Sequence, residues 1–81
     1  MAELKKNERM TNQITPKAAR ESLGLSRSEM AEVMGVYYNT WGKWERGERA
    51  PDSAAVRLMQ ILEWLGPWEI KQFMKYLEGL K

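Results

Sequence analysis

The sequence contains no cysteine and no histidine among its 81 residues. These absences exclude disulfide bonds, thiolate and imidazole metal sites, and the Ser-His and Cys-His pairs of nucleophilic enzymes. Carboxylates such as Glu29, Glu32 and Glu63 remain, but they fall on predicted helix faces without an evident catalytic partner. We therefore expect no enzymatic activity, no metal and no cofactor.

Long apolar runs are also absent. No stretch approaches the roughly 20 apolar residues of a membrane helix, and the N-terminal MAELKKNERM is charged where a secretory signal is apolar. The sequence therefore predicts a cytoplasmic protein with no membrane partner. Lys and Arg outnumber Asp and Glu by only 13 to 11, so net charge alone does not indicate binding to nucleic acid.

Local signals divide the chain into an arm and a helical domain. Residues 1–14 are polar and lack a helical stripe, which predicts a flexible N-terminal arm. Thr15 offers a capping hydroxyl and Pro16 a favourable first helical residue, and Gly24 ends this first predicted helix. The predicted domain covers residues 15–81.

Two short helices joined by a glycine turn follow. Ser26 and Glu29 have the spacing of a capping box, and Gly35 marks the end of the second helix. The third helix is predicted from Tyr38 to Arg46, with Gly47 as its C-terminal stop. A helix pair of this kind with a polar second member is typical of a unit that reads a DNA groove.

The C-terminal third predicts two further helices. Asp52 precedes an apolar pattern with three- and four-residue steps that ends at Gly66 and Pro67. The last segment is amphipathic and carries one apolar stripe, which comprises Ile70, Phe73, Met74, Leu77 and Leu80.

Four motifs carry a resemblance to a known family: RESLGLS, EMAEVMGV, the WERG that ends the third helix, and the RAP turn after it. From Thr15 to about Leu65 the chain resembles the Cro/CI repressor type of helix-turn-helix domain, also called the XRE family. The resemblance implies an all-α fold, a compact five-helix bundle with a helix-turn-helix and a lambda-repressor-like DNA-binding domain. It also implies a double-stranded DNA partner.

The resemblance implies that the third helix contacts bases through Tyr38, Asn39 and Lys43, with Thr40 as a secondary candidate. An α-helix fits the major groove, where Asn pairs with adenine and Lys donates to guanine. The alternative interpretation of these residues is a solvated helix face.

Candidates for phosphate contacts flank the third helix: Arg27, Arg46, Arg49 and, less strongly, Lys17. Arg27 stands where the family usually has glutamine, and arginine makes the same contact with a full charge. Alternatively, Arg46 and Arg49, which are interleaved with Glu45 and Glu48, only solubilise a turn.

Two positions of the third helix depart from common patterns. Tyr37 stands where the family usually has a capping serine or threonine, so the cap is expected to move to Asn39, which competes with base reading. Gly42 interrupts the helix at a cost of about 1 kcal/mol relative to alanine. It either lets the backbone approach DNA closely or is a tolerated defect beside two tryptophans.

The resemblance also implies internal anchors for the third helix. It pairs Arg20 with Glu45 in a partly buried salt bridge, against the alternative of two unrelated surface charges. Trp41 and Trp44 share a face and are expected in the core, where Trp44→Ala would cost roughly 3 to 5 kcal/mol.

One such domain covers few base pairs, so we expect a homodimer on a palindromic operator. The dimer candidates lie in the C-terminal segment: Trp64, Trp68, Phe73, Met74, Tyr76 and Leu77. The alternative is that the last helix folds back on its own core. The function predicted is a sequence-specific transcriptional regulator, namely a dimeric repressor of phage or mobile-element type that regulates its own operon. The alternatives are the antitoxin of a toxin-antitoxin pair and a protein-interaction module that has lost DNA binding.

Overall fold

The computed structural model describes residues 15–81, and the arm predicted over residues 1–14 lies outside them. The described part forms five helices and no strand: α1 (Pro16–Leu23), α2 (Arg27–Met34), α3 (Tyr38–Arg46), α4 (Ser53–Leu65) and α5 (Pro67–Gly79). The predicted all-α, five-helix fold is confirmed. None of these helices is long and apolar enough to cross a bilayer.

Side-chain caps set the starts of three helices. The Thr15 hydroxyl, the Ser26 hydroxyl and the Asp52 carboxylate each accept a hydrogen bond from a backbone N–H in the first turn, at 2.8 to 3.1 Å. Glu29 completes the capping box, because its carboxylate accepts from the Ser26 backbone N–H at 2.9 Å. Each of these contacts satisfies an N–H that the helix itself leaves unpaired. The starts predicted for α1, α2 and α4 are thus confirmed.

The start of α3 differs from the expectation. Tyr37 occupies the N-cap position with extended backbone and makes no side-chain cap, and its own side chain is 84% exposed. The expected move of the cap to Asn39 is wrong. An N-cap residue needs non-helical backbone, whereas Asn39 already lies in the first helical turn.

The turn between α2 and α3 depends on Gly35. Its φ of 75° lies in the left-handed region that side chains with a Cβ disfavour. In this conformation the N–H of Val36 reaches back to the carbonyl of Ala31 at 3.0 Å. The sharp reversal brings α3 against α2 and leaves the other face of α3 outward.

The core draws on all five helices and on the loop after α1. Trp41 is fully buried and Trp44 nearly so, and the two rings meet edge to face with centroids 5.6 Å apart. The expected core position of both tryptophans is confirmed. The other buried apolar residues are Ala19, Leu23, Leu25, Met30, Ala31, Val33, Met34, Met59, Leu62 and Ile70.

The apolar stripe of α5 is divided between two environments. Ile70 is buried and Met74 packs against the core, so the helix does fold back on its own chain. Met74 is therefore part of the core's edge rather than of an exposed patch, and Leu77 is half-buried. The remaining dimer candidates are exposed: Trp64, Trp68, Phe73 and Tyr76.

Candidate nucleic-acid interface

Helix α3 has an anchored inner face and a polar outer face. Trp41 and Trp44 point inward, while Asn39 and Lys43 are exposed and Tyr38 is 52% exposed. Thr40 is half-buried at the flank. The structure thus brings three of the four predicted base-contacting residues to the accessible side of one short helix.

The inner face is held by the carboxylate of Glu45, which accepts hydrogen bonds from several side chains. The guanidinium of Arg20 donates to Glu45 through Nε at 2.6 Å and through Nη2 at 3.3 Å. Its Nη1 donates to the carbonyl of Leu25 at 3.1 Å. The structure therefore contains the ion pair between Arg20 and Glu45, and the arginine joins α1, the loop after it and α3.

Two further donors complete the surroundings of Glu45. The indole N–H of Trp41 donates to one carboxylate oxygen, and Nε of Arg27 donates to the other at 3.2 Å. The Glu45 side chain is only 3% exposed. Burial raises the pKa of this carboxyl, but the hydrogen bonds from Arg20, Trp41 and Arg27 outweigh it and hold the pKa below its usual value. The network fixes the rotation of α3 about its own axis.

The predicted phosphate contacts lie in different settings. Arg27 begins α2 and is half exposed, with its Nε committed to Glu45. Lys17 is exposed, and its Nζ lies 4.0 Å from a carboxylate oxygen of Glu21, one turn later on α1. Arg49 is exposed in the loop between α3 and α4. Arginine presents five N–H donors, so the contact with Glu45 leaves Arg27 donors for a phosphate.

Arg46 pairs with Glu48, in line with the alternative of a solubilised turn, and it also packs against Gly42, a contact that the sequence pattern did not predict. Its Nε donates to Glu48 at 2.7 Å and its Nη2 to the same carboxylate at 3.4 Å. Its Nη1 lies 3.0 Å from the point where a Cβ on Gly42 would stand. Gly42 is buried although it belongs to the outer half of α3. A glycine four residues before an arginine was the available signal for this packing.

Comparison with known families gives one match. A family model described as helix-turn-helix matches residues 17–60, which is more than half of the chain. The chain belongs to this family, and to its XRE type. No curated protein and no solved structure matches the chain.

The family is one of DNA-binding transcriptional regulators rather than enzymes, so the protein is an XRE-type DNA-binding regulator. The match begins in α1 and ends inside α4. It therefore includes the whole α2–α3 unit and the Arg20–Glu45 ion pair of this XRE-type regulator. Most of the exposed aromatic residues lie beyond the match, from Trp64 to Tyr76.

Proposed function

We propose that this XRE-type regulator reads a specific double-stranded DNA sequence through α3 and represses transcription as a homodimer. The observation that carries the proposal is the two-sided character of α3. Its inner face is locked by buried tryptophans and the Glu45 network, and its outer face presents polar side chains. A helix held in this way enters the major groove with a defined orientation.

Each outward residue has a chemical role in this proposal. Asn39 offers the amide pair that matches adenine N6 and N7, and Lys43 donates to guanine O6 and N7. Tyr38 contacts a thymine methyl group or donates to phosphate, with Thr40 secondary. Because Asn39 is not used as a cap, its amide is available for this contact.

Phosphate contacts would fix the position of α3 on the duplex. Arg27, Arg49 and Lys17 are the candidates, because they are exposed at or near the ends of α2, α3 and α1. Such contacts add affinity without sequence information, and they weaken as salt rises. Repression then requires only that the bound protein occupies promoter DNA and excludes polymerase.

Selection of bound duplexes from a randomised pool at physiological salt tests base reading. The wild type should enrich one motif, and Asn39→Ala and Lys43→Ala should each relax the preference at a different base pair. Arg57→Ala is the matched control, because it removes an exposed charge on α4 outside the proposed contacts. No enrichment by the wild type would refute sequence-specific reading.

The aromatic surface, defined as Trp64, Trp68, Phe73 and Tyr76, supports the homodimer. Trp64 is 83% and Trp68 68% exposed, and Phe73 stacks on Tyr76 at a centroid distance of 6.0 Å. With about 200 Å² for each aromatic side chain, the two tryptophans and Tyr76 present on the order of 400 Å². That area is about half of what each partner contributes to a typical stable interface. A second copy is the occupant proposed, because one α3 covers only a few base pairs.

Sedimentation equilibrium tests the dimer. The wild type should sediment as a dimer, and Trp64→Lys combined with Trp68→Lys should sediment as a monomer with its helix content retained. Tyr37→Lys is the matched control, since it places the same charge at an equally exposed aromatic residue outside the aromatic surface. A wild type that stays monomeric at high concentration would refute the homodimer and favour another protein partner, such as a toxin.

A further inference from the structure

The guanidinium of Arg46 lies against Gly42, one turn earlier on α3. Helical side chains lean toward the N-terminus of their helix, and residues four apart are neighbours on the surface. Gly42 has no side chain, and Nη1 of Arg46 lies 3.0 Å from the point where its Cβ would stand, which is closer than most real Cβ contacts. The cation therefore lies near the level of Gly42, which is about 6 Å, the rise of four residues, closer to the start of α3 than the Cα atom of Arg46. The start of a recognition helix is the end whose side chains reach base edges.

Glu48 holds the guanidinium from one side. Its carboxylate accepts from Nε at 2.7 Å and from Nη2 at 3.4 Å, which is a side-on pair. The two amino groups at the far end of the guanidinium keep donors that point away from Glu48. Among residues 15–81 no hydrogen bond engages Nη1. Two parallel N–H groups at that end match the O6 and N7 acceptors of guanine.

The sequence pattern predicts a phosphate contact for Arg46, but the geometry points to a different role. We infer that Arg46 reads a guanine base in the major groove, and that Gly42 and Glu48 are positioning residues that hold its guanidinium on the reading face of α3. This inference rests on the proposed function, since it requires DNA to bind along α3. The role of Gly42 is then neither to let the backbone approach DNA nor to be a tolerated defect. Its missing side chain leaves room for the base-contacting guanidinium of Arg46.

A base contact and a phosphate contact give different binding patterns. If Arg46 reads guanine, Arg46→Ala lowers affinity for the selected operator by about tenfold or more, and leaves affinity unchanged for a duplex already altered at the guanine it reads. If Arg46 contacts phosphate, the same variant lowers the affinity for every duplex by the same factor. It also reduces the slope of log affinity against log salt concentration by about one. Arg49→Ala is the matched control and should show the second pattern.

The experiment measures fluorescence anisotropy titrations of the full chain with the selected operator and with duplexes altered one base pair at a time. Gly42→Ala should weaken discrimination at the same base pair as Arg46→Ala, because the added methyl group stands 3.0 Å from Nη1 and shifts the guanidinium by a few tenths of an ångström. Its melting temperature should not fall, since alanine favours a helix more than glycine does. In the Arg46→Ala background, Gly42→Ala should leave the affinity for the operator and for the altered duplexes unchanged.

Glu48→Ala separates positioning from simple repulsion. It should lower discrimination at that base pair, even though the loss of a negative charge strengthens binding to unrelated duplexes. A uniform loss of affinity in Arg46→Ala, or full discrimination retained in Gly42→Ala, would overturn the inference and leave the proposed function intact. A wild type that selects no motif would instead remove the proposed function, and this inference with it.

Discussion

Two pairs of tryptophans divide the molecule into unlike halves. Trp41 and Trp44 on α3 are 0% and 8% exposed, whereas Trp64 at the end of α4 and Trp68 at the start of α5 are 83% and 68% exposed. The same residue type therefore stabilises the fold in one half and lies in solvent in the other. The first half contributes its tryptophans to the core shared by all five helices and turns polar groups of α3 outward. The second half leaves two tryptophans and Tyr76 exposed, with on the order of 400 Å² of aromatic surface, which is in the range of the largest and often functional patch of a monomer.

Truncation of a buried tryptophan should have the largest effect on stability. Trp44→Ala should lower the free energy of unfolding by about 3 to 5 kcal/mol, through lost packing and an unfilled cavity. Its indole N–H has no hydrogen-bond partner within residues 15–81, so packing accounts for the loss. Urea unfolding at low protein concentration measures it. Trp64→Ala is the matched control and should change the monomer by less than about 0.5 kcal/mol; equal losses would contradict the division.

Removal of the ion pair behind α3 should have the next largest effect. Arg20→Ala leaves the buried Glu45 with only Trp41 and Arg27 as donors, so we expect a loss of about 2 to 3 kcal/mol. The measurement is again urea unfolding. Lys17→Ala removes an exposed cation on the same helix and should cost less than about 0.5 kcal/mol. A similar loss in both variants would contradict the anchoring role of Glu45.

The lowered pKa of Glu45 predicts that the stability of the fold declines in acid. The pKa of Glu45 is lowered in the folded protein, so the unfolded chain binds more protons as the solution is acidified. The stabilisation is present above the unfolded pKa of about 4.3 and is lost as pH falls through the lower folded pKa. Thermal melts from neutral pH into acid should show this decline. Glu45→Gln should be less stable at neutral pH but show a shallower decline, and an unchanged slope would refute the assignment.

The smallest expected effect concerns the uncapped start of α3. Tyr37→Ser introduces a side-chain oxygen at an N-cap position that has none, and the exposed phenol contributes little packing. Stability should rise by about 1 kcal/mol, as for other N-caps. Chemical denaturation against a Tyr37→Ala control isolates the hydroxyl. A serine variant no more stable than the alanine variant would show that solvent already satisfies these N–H groups.

Much of the fold follows from short-range signals. The helix boundaries were predictable because Ser26, Glu29 and Asp52 provide caps and Gly35 provides the turn, and each signal acts within one helical turn. The proximity of Arg20 and Glu45 is a contact across 25 positions. It was available only through the family resemblance, since spacing alone does not place distant residues together.

The remaining features depend on three-dimensional surroundings. The fate of the α5 stripe was open, because both a core and a partner accept an apolar face, and only the packing shows Ile70 and Met74 turned inward. The position of the Arg46 guanidinium depends on a side-chain conformation and on Glu48 in the following loop. The capping prediction for Asn39 failed because backbone geometry, rather than side-chain preference, chooses the N-cap.

We propose that the molecule uses two surfaces for two partners, α3 for DNA and the aromatic surface for a second copy. Backbone amide spectra recorded by NMR during titration with the selected duplex, and separately during dilution, test it most directly. The duplex should shift amides from Tyr38 to Arg46, and dilution should shift amides around Trp64 and Trp68. A duplex that perturbs the aromatic surface and leaves α3 unchanged would contradict it.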